Sequence, residues 1–317
     1  MRVLHVTTNY PTKEYPIFGI FVKEQIESLQ KIGIECDVFY CDGKNKGFRQ
    51  YITYLPKLFW KAATGNYDII HCHHALSLIL LTMTGIPFFK RIVLSYQNDP
   101  DKEWGGTFFK LFHTYVNHFI IKNKSRYLKY SNTSYLQNGV NSEFFRPMDK
   151  SECRKILNLD LDKIYILYMD SNKGVRLQKR KDRFDETLQI LRSEYGLTNV
   201  EGLYLKNTPR NLIPLYMNAI DLHLISSDFE GSPNSVKECV CCNTPVVSTN
   251  VGNVQEMIGD IRGCSVVNEF SSESLAHACN TVIKSKENFN GRDSLLSKGY
   301  GMDIVANKIF QIYLSIK

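Results

Sequence analysis

Short apolar runs alternate with stretches of helical spacing along the first half of the chain. Val3 to Thr7, Glu35 to Tyr40, Asp68 to Cys72 and Arg91 to Ser95 read as strands, because each is a brief apolar or β-branched run bounded by polar or turn residues. Ile20 to Lys31 places its apolar residues at helical intervals, and helical patterns separate the later strands. Such alternation predicts a parallel, doubly wound sheet. A polar segment from Asn138-Gly-Val-Asn to Lys150 interrupts the pattern, and a new strand opens at Lys163-Ile-Tyr-Ile-Leu-Tyr-Met. The expected division is therefore two units, 1–149 and 150–317. The second half repeats the alternation, with helices near Asp185 to Glu194 and Leu212 to Ala219, and ends in an amphipathic helix from Asp303 to Ser315.

Candidate chemistry concentrates between Ser226 and Gly252, SSDFEGSPNSVKECVCCNTPVVSTNVG. Asp221-Leu-His-Leu-Ile-Ser reads as a buried strand leading into it. Ser232 suits a helix N-cap and Pro233 the first helical position, with Val236, Cys239 and Val240 on one face. Asn243 tolerates the left-handed conformation that closes a helix, and Pro245 cannot continue one. Glu230 then lies on a loop at the carboxyl end of a strand, where open α/β sheets bind ligands, and Glu238 lies just over a turn into the next helix. The free N–H groups of Asn234 and Ser235 would face the same crevice as anion donors.

Two glutamates at E-x7-E spacing are a weak signal alone, but the whole stretch resembles the signature of the family 4 glycosyltransferases. These are retaining enzymes of the GT-B fold, with two Rossmann-like doubly wound domains and a cleft between them. Their pattern E-G-x-P-x-x-x-x-E runs through a small-residue helix into P-V-V-S/A and a glycine. The resemblance implies that Glu230 contacts the donor sugar's hydroxyls and that Glu238 hydrogen-bonds the nucleotide ribose. It also implies donor contacts from Gly231, Ser232, Asn234 and Ser235. Many members have E-G-F-G, whose last two amides touch the sugar; Pro233 has no N–H to give, leaving the Asn234 side chain as the substitute. Leu136-Gln-Asn-Gly-Val-Asn with Phe145 and Pro147 is similar to the family's boundary loop, and a terminal helix in this fold often crosses back to the first domain.

Composition is that of a globular protein, with 43% apolar and 22% charged residues. No apolar run reaches the ~20 residues needed to span a bilayer, and the chain opens directly on a strand. A cytoplasmic location is expected, including the inner face of the membrane. Nine cysteines at irregular spacing include Cys239, Cys241 and Cys242, but no C-x2-C pair is matched by a second, so reduced buried thiols are expected in place of a metal cluster.

The net charge of +7 is unevenly distributed. Lys173 to Arg183, KGVRLQKRKDR, follows the first strand of the second half. A departing nucleoside diphosphate gains charge as the glycosidic bond breaks, and fixed cations stabilise that charge. The family places an Arg and a Lys about six apart here. Lys173 and Lys179 have that spacing, and Arg176 or Arg180 could supply the guanidinium; a solvated helix face is the alternative. Gly43 to Gly65 holds Lys44, Lys46, Arg49, Lys57 and Lys61 with no acid, interleaved with five aromatics. It reads either as a helix on an anionic leaflet or as an ordinary domain helix, with Pro56 kinking it.

Pro16-Ile-Phe-Gly19 resembles the family's first loop, where Gly19 would let the backbone approach the diphosphate. His71-Cys-His-His74 suggests metal ligands, but strand alternation separates its members and no carboxylate follows, so no metal is assigned. Where members often carry H-G-x-D, this chain has Ser95-Tyr-Gln-Asn-Asp99, so that Tyr96 or Gln97 replaces the histidine. The family's base-binding loop falls at Leu203 to Thr208.

The resulting expectation is a retaining, metal-independent enzyme without cofactor that moves a hexose from a nucleotide diphosphate sugar, UDP-linked by preference, to a lipid-linked or polysaccharide acceptor in surface-glycan assembly. No nucleic-acid partner is expected. A glycoside hydrolase would share the glutamates but has no use for the basic run. A sugar-nucleotide epimerase, or an inactive nucleotide-sugar-binding subunit of a membrane glycan complex, are the remaining alternatives.

Overall fold

The computed structural model describes the chain except residues 44–46, 48, 98–99, 102–110, 112–113, 171–175 and 286–288. Two compact units result: Met1–Gly139 together with Met302–Lys317, and Val140–Gly301.

In the first unit, β1 (Arg2–Thr7), α1 (Ile20–Lys31), β2 (Glu35–Tyr40), α2 (Arg49–Thr64), β3 (Ile69–His73), α3 (Ala75–Thr82), β4 (Arg91–Ser95), β5 (His118–Ile121) and β6 (Thr133–Tyr135) build one sheet of order β2-β1-β3-β4-β5-β6. Every pairing is parallel, and β1 and β3 are fully buried apart from Arg2 at the first position. Burial on both faces explains why these strands read as unbroken apolar runs. The face carrying Leu4, Val6, Ile70 and Leu94 packs under α2 and α3.

The second unit contains α4 (Lys150–Ile156), β7 (Ile164–Met169), α5 (Lys181–Ser193), β8 (Val200–Leu205), α6 (Ile213–Ala219), β9 (Leu222–Ile225), α7 (Asn234–Cys241), β10 (Val246–Thr249), α8 (Val254–Ile258), β11 (Ser265–Val267), α9 (Ser272–Lys284) and α10 (Gly291–Leu295). Its sheet runs β11-β10-β9-β7-β8, again wholly parallel. Strand order reverses between β7 and β9 here, and between β1 and β3 in the first unit; these reversals are the places where doubly wound sheets open a crevice.

The division falls at 139/140, earlier than the boundary expected near 149. Val140 donates its N–H to Tyr300 O at 2.8 Å, and Phe145, fully buried, joins the second core, so the polar segment belongs to the second unit. The terminal helix α11 (Met302–Ile316) belongs to the first unit, where Val305, Ala306, Ile309 and Tyr313 pack on Val3, Leu29 and Ile69. All nine cysteines are free thiols.

Candidate active site

The reversal between β7 and β9 gathers most of the described candidate residues. After β7 the chain makes a short 3-10 turn, Leu177–Lys179, and Arg180 then adopts φ 49°, ψ 58° to enter α5. After β9 come Ser226, Ser227, Asp228 and the Glu230 loop. Hydrogen bonds stitch the two segments together: Ser226 Oγ donates to Lys179 O and Arg180 O, each at 3.0 Å, and the Asp228 N–H donates to Gln178 O at 2.8 Å.

This framework presents Lys179 to Glu230. Their side chains pair at 2.5 Å with about 15% of each exposed, so the pair is sheltered but reachable from solvent. Ser227 Oγ donates to the same Glu230 oxygen at 2.9 Å, and Thr249 Oγ1 fixes Ser227 by donating to its carbonyl at 2.7 Å. A carboxylate held by an ammonium and a hydroxyl is oriented and can accept from a ligand hydroxyl; the ammonium offers further donors to an anion.

Glu238, on the inner face of α7, is paired with Arg210 at 2.7 Å, and the Arg210 guanidinium lies 4.7 Å above the Phe145 ring. α7 begins one residue later than expected: Pro233 occupies the cap position with φ −67° and ψ 114°, Asn234 is the first helical residue, and Ser232 lies outside it. The N–H groups of Asn234 and Ser235 therefore fall in the first turn, where an α-helix supplies no partner. Asn234 Oδ1 is buried with no hydrogen-bond partner among the described residues. Asn243 adopts φ 54° beyond the helix end.

Three groups here escape a reading of the sequence. His223 donates from Nδ1 to Leu167 O at 3.0 Å, which leaves Nε2 to accept from Ser235 Oγ, also at 3.0 Å. Burial lowers its pKa to about 4, so the ring is neutral and serves to orient Ser235. Lys237 is fully buried beneath the E-G-S-P loop, its Nζ 3.4 Å from Ser232 Oγ, and burial pulls its pKa down to about 8. Arg210 is the third. Their identities carry no motif; only the packing reveals them. Gly231 is fixed from behind by Gly252 at φ 56°, where a Cβ would sit 2.1 Å from Gly231 O.

The remaining cations behave differently from one another. Arg180 is held by Asp182 at 2.7 Å and by Asp228 at 3.2 Å, so the chain's own carboxylates already occupy the guanidinium offered for phosphate binding. Arg176 is exposed at the start of the 3-10 turn, and Lys173 lies outside the described residues.

In the first unit, Gly19 caps α1 with φ 68°, and a Cβ there would meet Asn9 O at 2.3 Å, so the loop requires glycine. Asn9 Nδ2 donates to His74 Nε2 at 2.8 Å across the reversal between β1 and β3. Tyr96 is buried and stacked on Phe119, and Gln97 accepts from Asn138 Nδ2 at 3.2 Å.

Strand alternation does not scatter the histidines as expected: His71 and His73 share a face, opposite Cys72, and His5 on β1 joins them. One ligand atom from each lies within 4.8 Å of the others. The His71 and His73 rings stack at 4.3 Å, and His71 is bonded at both nitrogens, to Tyr313 Oη at 2.6 Å and Ser95 Oγ at 2.8 Å. His5 Nδ1 and His73 Nε2 are themselves hydrogen-bonded at 3.0 Å. Burial holds the pKa values of all three far below the ordinary range, and the cluster ties α11 to the sheet.

With this geometry in place, comparison with known proteins is informative. Residues 184–296 match the model of the group 1 glycosyl transferases. That segment contains Arg210, His223, Glu230, Lys237, Glu238 and Gly252. A provisionally named teichuronic acid biosynthesis glycosyltransferase, TuaC of Bacillus subtilis, is 23% identical, with 88% of each chain covered. Among solved structures, sucrose-phosphate synthase from Thermosynechococcus elongatus superposes with TM-score 0.72 at 16% identity, covering 99% of this chain and 98% of that one. Anabaena HepE, solved with UDP, gives 0.72 at 14% identity, covering 99% and 100%. The fold is therefore GT-B. Among the described residues, no helix is long and apolar enough to cross a membrane.

Proposed function

We propose that the protein is a retaining, metal-independent glycosyltransferase of the family 4 type. It moves a hexose from a nucleotide diphosphate sugar to a lipid-linked or polysaccharide acceptor in surface-glycan assembly. The observation that carries this reading is the Lys179–Glu230 pair at the reversal between β7 and β9. On donor binding, a sugar hydroxyl would donate to Glu230 while the diphosphate takes over Lys179, so each charge exchanges its protein partner for the ligand. Glu238 would likewise accept from the ribose. The complexes of HepE with UDP and with UDP-glucose support a UDP-sugar as donor, and the TuaC similarity supports a cell-surface glycan as product.

Leaving-group charge is met by Lys179, with Arg176 and Lys173 as additional candidates, and no protein nucleophile is invoked. The enzyme's contribution is positioning and charge stabilisation. A peripheral contact between segment 43–65 and an anionic membrane belongs to the same reading.

The test is transfer from a panel of UDP-sugars to a membrane-extracted acceptor in the presence of EDTA, with the anomeric configuration of the product read by NMR. Retained configuration and chelator-resistant turnover are expected. Inversion, or activity restored only by added divalent cation, refutes the mechanism.

A further inference from the structure

Glu238 lies on the buried side of α7 with 8% of its side chain exposed, and a carboxylate so placed needs a fixed partner. Arg210 supplies it, donating from Nη2 to Glu238 Oε1 at 2.7 Å. Among the described residues no second hydrogen bond to this carboxylate is found, so Oε2 remains to accept from a ligand. The direction in which Oε2 points therefore depends on what holds Arg210.

Arg210 opens the 3-10 turn Arg210–Leu212, directly after Pro209 at φ −52°, whose ring fixes the backbone at that entry. Its guanidinium lies over the Phe145 ring at 4.7 Å and over that of Phe144 at 5.9 Å. Phe145 is fully buried, and its backbone is clamped by Arg292, which donates from Nη1 to Phe145 O at 2.7 Å and to Cys241 O at 2.8 Å, and from Nη2 to Ser142 O at 2.7 Å. Cys241 is the last residue of α7. One guanidinium thus ties segment 142–145 to the helix that carries Glu238, and a second returns from the Phe145 ring to the carboxylate. The circuit closes wholly within the second unit.

We propose that Arg210 is the positioning residue for ribose recognition: carried on Phe145, it takes one oxygen of Glu238 and turns the other toward the ribose hydroxyls. The inference rests on the ribose contact proposed for Glu238. A planar guanidinium suits both duties, because its face can lie on an aromatic ring while its edge carries N–H groups to a carboxylate; an ammonium has the charge without that orientation. The charge of Arg210 is taken up by Glu238, so the consequence is selective. Losing Arg210 should remove discrimination at the ribose and leave affinity for the rest of the nucleotide.

The test is calorimetry on the full chain with UDP, ADP and GDP, repeated for the tightest binder with its dideoxy counterpart, which lacks both ribose hydroxyls. The wild type should bind the dideoxy form about ten- to a hundredfold more weakly, the range of a charge-assisted hydrogen bond. In Arg210→Met that ratio should fall to about threefold or less, because the coupling between carboxylate and ribose is removed, while the dideoxy nucleotide binds much as it does to the wild type. Arg210→Lys keeps the charge, serves if Arg210→Met does not fold, and should give an intermediate ratio. A purely structural role predicts the opposite: both nucleotides weaken by the same factor and the ratio stays at its wild-type value. That result in either variant overturns the assignment of Arg210 and leaves the donor site standing. A wild type that binds both forms equally removes the ribose contact of Glu238 and this inference with it, whereas a wild type that binds none of the diphosphates overturns the proposed function itself.

Discussion

Replacing Gly252 by alanine should disable transfer without dismantling the fold. The residue has φ 56°, and an added Cβ would lie 2.1 Å from Gly231 O, 2.9 Å from Gly231 C and 3.0 Å from Glu230 O. All three atoms are backbone, so no side chain can rotate aside. An ordinary C···O contact is about 3.3 Å, which requires the Glu230–Gly231 segment to retreat by about 1 Å. A displacement of that size at a positioned group costs roughly a hundredfold in rate. The left-handed backbone adds about 1 to 3 kcal/mol of strain. Gly196→Ala separates the two effects: Gly196 has φ 69° in the same unit, and a Cβ added there would meet nothing within 4 Å, so it suffers the strain without the collision. Steady-state kinetics and thermal melts of both variants are the assay. Both should melt a few degrees lower, and only Gly252→Ala should lose kcat. If Gly252→Ala turns over like Gly196→Ala, the contact behind Gly231 does not position Glu230 and the argument fails.

Glu238→Ala should weaken binding of the nucleoside diphosphate by roughly tenfold or more, because a charge-assisted hydrogen bond contributes about 1.5 to 3 kcal/mol; calorimetry giving equal affinity would remove the ribose assignment. Glu230→Ala should abolish transfer while largely preserving affinity for the bare diphosphate, and retained turnover would show that its pairing with Lys179 is only structural. Lys179→Ala should lower kcat more than it raises KM, since diphosphate charge is greatest at bond breaking; a pure KM effect would argue for ground-state binding instead. Lys237 yields a pH signature: its folded pKa of about 8 lies below the ordinary 10.5, so the unfolded chain binds more protons between those values and stability rises with pH across that window. Relative to Lys237→Met, the wild type should gain about 3 kcal/mol between pH 7 and 10.5, and a pH-independent difference in denaturant unfolding would mean that Lys237 does not titrate there.

What is legible in the sequence follows from what is local. β1, β2, β4 and β7 stand within a residue of the expected bounds, because a buried parallel strand is an uninterrupted apolar run whatever surrounds it. The E-G-S-P loop and the Asn243 exit are equally readable from backbone rules, although Pro233 takes the cap position and displaces Ser232. Partnership is not local. The sequence offers Glu230 and Glu238 as ligands for a donor but carries no hint that Lys179 and Arg210 hold them, since those pairings join segments 51 and 28 positions apart. His5, in a strand with no motif, becomes visible only when the β1/β3 register sets it opposite His71.

The basic run shows the same limit most sharply. Lys179 and Arg180 are neighbours of like charge, and a sequence window has no means of ranking them as anion ligands. The fold ranks them through Asp182, two residues on, and Asp228, which the β9 loop brings across from another strand. Both carboxylates converge on Arg180, fixing the turn into α5, while Lys179 is directed toward Glu230. One cation of the pair thus builds the loop and the other faces Glu230. An Arg180→Ala variant is consequently a structural lesion: Asp182 loses its guanidinium partner, and Asp228 loses one of its two and keeps Arg183 at 2.9 Å. Its loss of activity should accompany a lower melting temperature, whereas Lys179→Ala should lose turnover at an unchanged one.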